Sequence, residues 1–310
     1  MSTLWVFPGQ GAQRPGMLDA LPDAAPVREC LEQAGQVLGE DPRALHSEQA
    51  LRDTRAVQLC LLIAGSAVAR LLTEHVPAPA FVAGLSIGAY AAAVASGALE
   101  FADALRLVEL RGRLMQQAYP EGYGMTALIG LDSVRVEALL AAVHTPTTPV
   151  YLANLNAENQ IVIAGSDAAM ATVAQRARQQ GGVARRLAVS VPSHCPLLDA
   201  AAEHLAAAFA NVPMRAPRLR YLSGSSARPI ARPDALRDDL VYNLCRTINW
   251  RALVASAFER GVRLQLEVPP GNVLSGLARH AWPAGQALAF EGTRLDTLIA
   301  LSAEEDLRTL

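Results

Sequence analysis

Along the first third of the chain, short unbroken apolar runs alternate with longer stretches of helical apolar spacing. Residues 4–7 are apolar throughout and empty into Pro8-Gly9-Gln10-Gly11-Ala12-Gln13, which predicts a buried strand ending in a loop. Residues 55–75 carry the spacing of a helix and stop before Pro77. A second short strand is predicted over 80–83, closed by Gly84, with helices over 87–96 and 102–118. Strands alternating with helices predict a layered α/β fold on a parallel sheet.

The pattern changes between Gly122 and Ser190. Strand signals at 125–131, 150–154, 160–165 and 183–189 enclose helical signals at 133–143 and 168–180, and Asn156-Ala157-Glu158-Asn159 marks a turn between the middle strands. The order β-α-β-β-α-β is that of the ferredoxin-like unit. We therefore expect a small domain over 122–190, inserted into a large domain made of 1–121 and 191–310. In the second half of the large domain, helices are predicted over 197–210, 234–245, 252–260 and near 273–280. Strands are predicted over 219–223, 263–268 and near 287–290, before a closing helix.

Composition narrows the function classes. With 51% hydrophobic and 18% charged residues, the chain can build a packed core. A net charge of −2 offers no basic surplus to attract nucleic acid or an anionic membrane. Every basic residue is Arg, and the absence of Lys excludes Schiff-base catalysis and a P-loop lysine. Cys30, Cys60, Cys195 and Cys245 form no Cys-x-x-Cys pair, so no zinc ribbon or dithiol motif is indicated. The start of the chain lacks a signal-peptide pattern. The most apolar helical stretch, 57–69, falls short of the roughly 20 residues that span a bilayer. These features lead us to expect a soluble, cytoplasmic protein.

Gly84-Leu85-Ser86-Ile87-Gly88 follows a strand signal and precedes a helical one, the setting of a nucleophile elbow. A sharp turn there would present Ser86 to a substrate, with a helix N-terminus behind it to stabilise an oxyanion. The plainer alternative is a serine capping a helix. A serine nucleophile needs a base. His194 stands in the proline-bounded loop Val191-Pro192-Ser193-His194-Cys195-Pro196, and His280 lies late in the chain, so both remain open on spacing. Arg111 falls on the apolar stripe of the helix predicted over 102–118. Buried there it needs a partner, which could be a substrate carboxylate or an internal acid. The loop around Gly9-Gln10-Gly11 fails the dinucleotide fingerprint at its last glycine, and its plausible use is a backbone N–H at the sheet edge.

Five motifs in order carry a resemblance over nearly the whole chain. Phe7-Pro8-Gly9-Gln10-Gly11-Ala12-Gln13, Gly84-Leu85-Ser86-Ile87-Gly88, Leu110-Arg111-Gly112, Pro192-Ser193-His194 and Glu267-Val268-Pro269-Pro270-Gly271 resemble the malonyl-CoA:acyl carrier protein transacylase family. The resemblance implies an α/β-hydrolase-like large domain with an inserted ferredoxin-like small domain. It implies Ser86 as nucleophile and His194, rather than His280, as base. Arg111 would bind the malonyl carboxylate, and the N–H groups of Gln10 and Ile87 would form the oxyanion hole. A backbone carbonyl would orient the histidine, with Asn243, ahead of Trp250, as its equivalent. No resident cofactor is implied, and malonyl-CoA is the substrate. The family's usual elbow is Gly-His-Ser-Leu-Gly-Glu-Tyr. Here Leu85 and Ala89 replace its histidine and glutamate, and this variant, with Arg294-Leu295-Asp296-Thr297-Leu298-Ile299-Ala300-Leu301, is similar to the epsilon subunit of malonate decarboxylase. That likeness implies the malonate decarboxylase acyl carrier subunit as partner, its phosphoribosyl-dephospho-CoA arm receiving the malonyl group. The alternatives are the carrier proteins of fatty-acid or polyketide synthesis and a non-catalytic assembly subunit.

Overall fold

The computed structural model describes residues 3–282 and 284–308. The expected spans 1–121 and 191–310 therefore include Met1, Ser2, Pro283, Thr309 and Leu310, which lie outside the described residues. In chain order the first elements are β1 (Thr3–Phe7), α1 (Ala25–Leu38), α2 (Thr54–His75), β2 (Phe81–Gly84), α3 (Gly88–Ala95) and α4 (Phe101–Ala118). There follow β3 (Tyr123–Ile129), α5 (Ser133–Ala141), β4 (Val150–Ala157), β5 (Gln160–Ser166), α6 (Asp167–Gln179) and β6 (Val183–Arg186). The chain closes with α7 (Asp199–Phe209), β7 (Arg220–Leu222), β8 (Pro229–Ile230), α8 (Pro233–Tyr242), α9 (Trp250–Glu259), β9 (Leu264–Glu267), α10 (Val273–Ala281), β10 (Gln286–Ala289) and α11 (Leu295–Leu307).

Among the described residues the strands form two sheets. The larger has the order β10-β9-β1-β2-β7-β8 and is parallel except where β8 turns back on β7. Its central strand explains the unbroken apolar run at the start of the chain. Trp5 and Phe7 point into one apolar cluster with α1–α4 and α7, while Leu4 and Val6 point into a second with α9 and α10. A strand covered on both faces has no polar side to display. The smaller sheet, built wholly from residues 123–186, is antiparallel in the order β4-β5-β3-β6, with α5 and α6 packed on its apolar face. This is the ferredoxin-like order.

Several elements differ from expectation. The helix expected over 55–75 is α2. Its most apolar stretch, 57–69, is too short to span a bilayer, but the whole 22-residue helix is long and apolar enough to do so. Its most apolar window is 89% buried inside the protein, so its apolarity on all sides is that of a core helix. The strand expected over 183–189 ends at Arg186, because Val189 and Val191 leave the small sheet to join the main core. The helix α1 has no counterpart among the expected elements, although it carries Pro26 in its first turn and is capped by Gly39 in the left-handed region, the usual start and stop residues. The two-residue edge strand β8 is too short to leave a periodic signal.

Candidate functional site

The end of β2 turns into α3 through Ser86, whose φ of 54° lies in the left-handed region. That conformation is costly for a non-glycine residue and is held by its surroundings. The surroundings are backbone. A Cβ on Gly88 would lie 2.2 Å from the Phe7 carbonyl oxygen, and one on Gly84 would lie 2.0 Å from the Gly88 carbonyl carbon. Only glycine at both positions lets β1, β2 and the start of α3 approach this closely. The turn is closed by the Leu85 N–H donating to Phe7 O at 2.9 Å and the Gly88 N–H donating to Leu85 O at 2.9 Å.

His194 approaches from the loop after the small sheet, also with a positive φ, 64°. Its N–H donates to Leu244 O at 2.7 Å. Nδ1 lies 2.5 Å from Asn243 O, and Nε2 lies 2.9 Å from Ser86 Oγ. A carbonyl can only accept, so Nδ1 carries the proton and Nε2 is left to accept the Ser86 hydroxyl. Burial, and secondarily the Arg111 charge, pushes the His194 imidazole down to about 4, which keeps it neutral near pH 7. His280, by contrast, is exposed on α10.

Arg111 projects from α4 and is completely buried, and burial lowers its proton affinity. Nη1 donates to Gln58 Oε1 at 2.7 Å, and Nη2 lies 3.1 Å from Asn243 Oδ1 and 3.4 Å from Ser86 Oγ. Of the two partners left open for Arg111, the internal acid is not found: among the described residues no carboxylate pairs with it, and its buried Nε has no acceptor. Asn243 joins the parts together. Besides its contacts to His194 and Arg111, its Nδ2 donates to Ser86 O at 3.1 Å. Across the elbow, a Cβ on Gly9 would lie 2.7 Å from Leu85 O, so the loop carrying Gln10 lies against the turn. Among the described residues the N–H groups of Gln10 and Ile87 have no protein acceptor.

The structure thus gathers Ser86, His194, Arg111 and Asn243 into one cluster and lays the Gln10 loop beside it. Sequence reasoning missed Gln58. Its only signal was an amide near the start of the apolar stretch 57–69. It also missed Tyr90, whose ring lies 5.9 Å from the Arg111 guanidinium and whose hydroxyl donates to Leu240 O at 3.0 Å.

Over residues 4–286 the chain matches the acyl transferase domain family; it belongs to that family and is an acyltransferase. A malonyl CoA-acyl carrier protein transacylase of Haemophilus influenzae is 40% identical over 284 residues, covering 88% of this chain and 90% of that protein. The solved malonyl CoA-acyl carrier protein transacylase of Coxiella burnetii superimposes with a TM-score of 0.92 at 34% identity, covering 98% of each chain. A malonyl-transacylase solved in complex with its type II PKS acyl-carrier protein gives 0.91 at 35% identity, covering 98% of this chain and 99% of that one.

Proposed function

We propose that this acyltransferase moves malonyl from malonyl-CoA to the thiol of an acyl carrier protein, through a malonyl ester on Ser86. The reading rests above all on Arg111, a fully buried guanidinium with no acid paired to it among the described residues, placed 3.4 Å from the hydroxyl that would carry the acyl group. A free acyl carboxylate supplies what Arg111 lacks. An acetyl group would leave the guanidinium unpaired, a cost that discriminates against it.

In the first half-reaction His194 Nε2 takes the Ser86 proton as Oγ attacks the thioester carbonyl. The oxyanion forms against the N–H groups of Gln10 and Ile87, a donor of this kind being worth about 3 kcal/mol in the transition state. CoA leaves as the thiol with the proton held by His194, giving malonyl-Ser86. In the second half the carrier's thiol loses its proton to His194 and attacks the ester, and Ser86 recovers its hydrogen as the new thioester departs. Asn243 O holds the imidazole throughout, so no carboxylate is needed behind it.

The named relatives favour the carriers of fatty-acid or polyketide synthesis over the acyl carrier subunit of malonate decarboxylase. The second acceptor keeps two specific supports, Leu85 and Ala89 at the elbow in place of the usual histidine and glutamate, and the run Arg294-Leu295-Asp296-Thr297-Leu298-Ile299-Ala300-Leu301. Transfer rates to the two carriers, measured side by side, distinguish these readings.

Two measurements test the chemistry. Intact-protein mass spectrometry after brief exposure to malonyl-CoA should show one malonyl group added, and Ser86→Ala should show none. A labelled Ser86→Ala protein would place the nucleophile elsewhere. Arg111→Ala should lose at least about 10²-fold in kcat/KM for malonyl-CoA and little for acetyl-CoA. An unchanged malonyl-to-acetyl ratio would remove the carboxylate clamp from the mechanism.

A further inference from the structure

Two arginines lie in the interface between α2 and α4, and the chain treats them differently. Arg55 is paired with two carboxylates, Glu40 at 2.5 Å and Glu109 at 2.8 Å; burial works against its charge, but the two carboxylates together outweigh it and raise its pKa. Arg111, two residues along α4 from Glu109, receives instead the amide oxygen of Gln58, three residues along α2 from Arg55. Gln58 is completely buried. Its orientation is dictated by chemistry. A guanidinium has only donors, so Oε1 must face Arg111, and Nε2 is left to the Met115 sulfur at 3.3 Å. A glutamate of nearly the same shape would fit the site and would form a stronger, charge-assisted bond. That bond would also neutralise the guanidinium before any substrate arrived.

We infer that Gln58 is a specificity-determining positioning residue: it fixes the direction of the Arg111 fork while leaving its charge unspent for the acyl carboxylate. The inference rests on the proposed role of Arg111. Asn243 performs the matching service on Nη2, again through an amide oxygen. Two neutral acceptors thus hold the guanidinium, where an acid at either place would compete with the substrate for the same charge.

The test uses the whole enzyme and compares Ser86 acylation by malonyl-CoA and by acetyl-CoA. Gln58→Glu should lower kcat/KM for malonyl-CoA at least about tenfold, chiefly through KM, while acetyl-CoA stays within about threefold of the parent. The ratio, not the absolute rate, is the readout, because a purely structural role would lower both substrates together. Gln58→Met removes the acceptor without adding charge. It should lower the malonyl rate by a smaller factor and again spare acetyl, and it serves alone should Gln58→Glu fail to fold. A Gln58→Glu enzyme with the parent ratio, or either variant losing both substrates equally, overturns the inference. Arg111→Ala separates the two levels. If it keeps the parent ratio, the clamp itself is wrong; if it collapses the ratio while Gln58→Glu does not, only the role of Gln58 falls.

Discussion

Burial is the main cause that holds His194 at about 4, and the nearby Arg111 charge is the second. Two consequences follow at the scale of the residue. The base is already neutral at neutral pH, so the acid limb of kcat/KM should fall near pH 4 rather than near the ordinary histidine value of 6.5. In Arg111→Ala the limb should move upward, but only part of the way, because burial remains. A limb near 6.5 in the parent enzyme would mean that the site is wetter than its geometry implies. The same depression links pH to stability. The unfolded chain binds the His194 proton more tightly than the folded one, so this contribution is fully present above about 6.5 and is lost as pH falls through about 4. Its full size is about 3 kcal/mol. Thermal unfolding between pH 7 and 4 should therefore show a steeper loss in the parent than in His194→Asn. Ser86, His194 and Arg111 were legible because each broke a local rule: a serine between glycines, a histidine among prolines, a charge on an apolar stripe. Gln58 and the side chain of Asn243 broke none strongly enough, since their work lies in contacts to residues 53 and 132 positions away.

At the scale of elements, the elbow depends on backbone meeting backbone. Gly88→Ala would put its Cβ 2.2 Å from Phe7 O and 2.7 Å from Phe7 C, atoms of β1 that cannot move without disturbing the sheet. We expect a loss above about 3 kcal/mol, with no Ser86 acylation in whatever folds. Gly276→Ala supplies the contrast. It lies within α10 with nothing within 4 Å of the added methyl, so it should stabilise by about 1 kcal/mol. Chemical denaturation of both variants decides the matter, and a Gly88→Ala protein as stable as the parent would show that the close approach is relaxed in solution. Most elements were legible because burial on one or both sides imposes a period. The motif around Glu267 was legible as a pattern but not as a cause. Its buried carboxylate accepts the N–H groups of Leu274 and Ser275 at 3.1 and 2.6 Å, satisfying the first turn of α10. That role depends on a chain reversal that periodicity does not register.

At the scale of the molecule, the segment from Asn243 to Asn249 ties the two sheets to the site. Asn243 and Leu244 hold His194, the Thr247 hydroxyl donates to Leu152 O at 3.2 Å, and the Asn249 N–H donates to Gly224 O at 2.8 Å. Between them Ile248 pairs with β4: its N–H donates to Ala153 O at 2.9 Å, and its carbonyl accepts from the Leu155 N–H at 2.8 Å. The small sheet therefore does not hang only on the chain passages near 120 and 190. It is hydrogen-bonded to the strip that positions the base. A sequence gives no sign of such a join, because it lies outside any regular strand and links residues about 95 apart. If the join holds in solution, the Leu155 and Ile248 amides should exchange as slowly as those of β1, which sits mid-sheet with both neighbours paired. Exchange at those two amides orders of magnitude faster than in β1 would mean that the small sheet swings on its linkers. Asn243 would then be released each time the join opens, and His194 would lose the carbonyl that fixes its tautomer. Hydrogen exchange at two positions thus reports whether the base is held by a rigid frame or by one that opens.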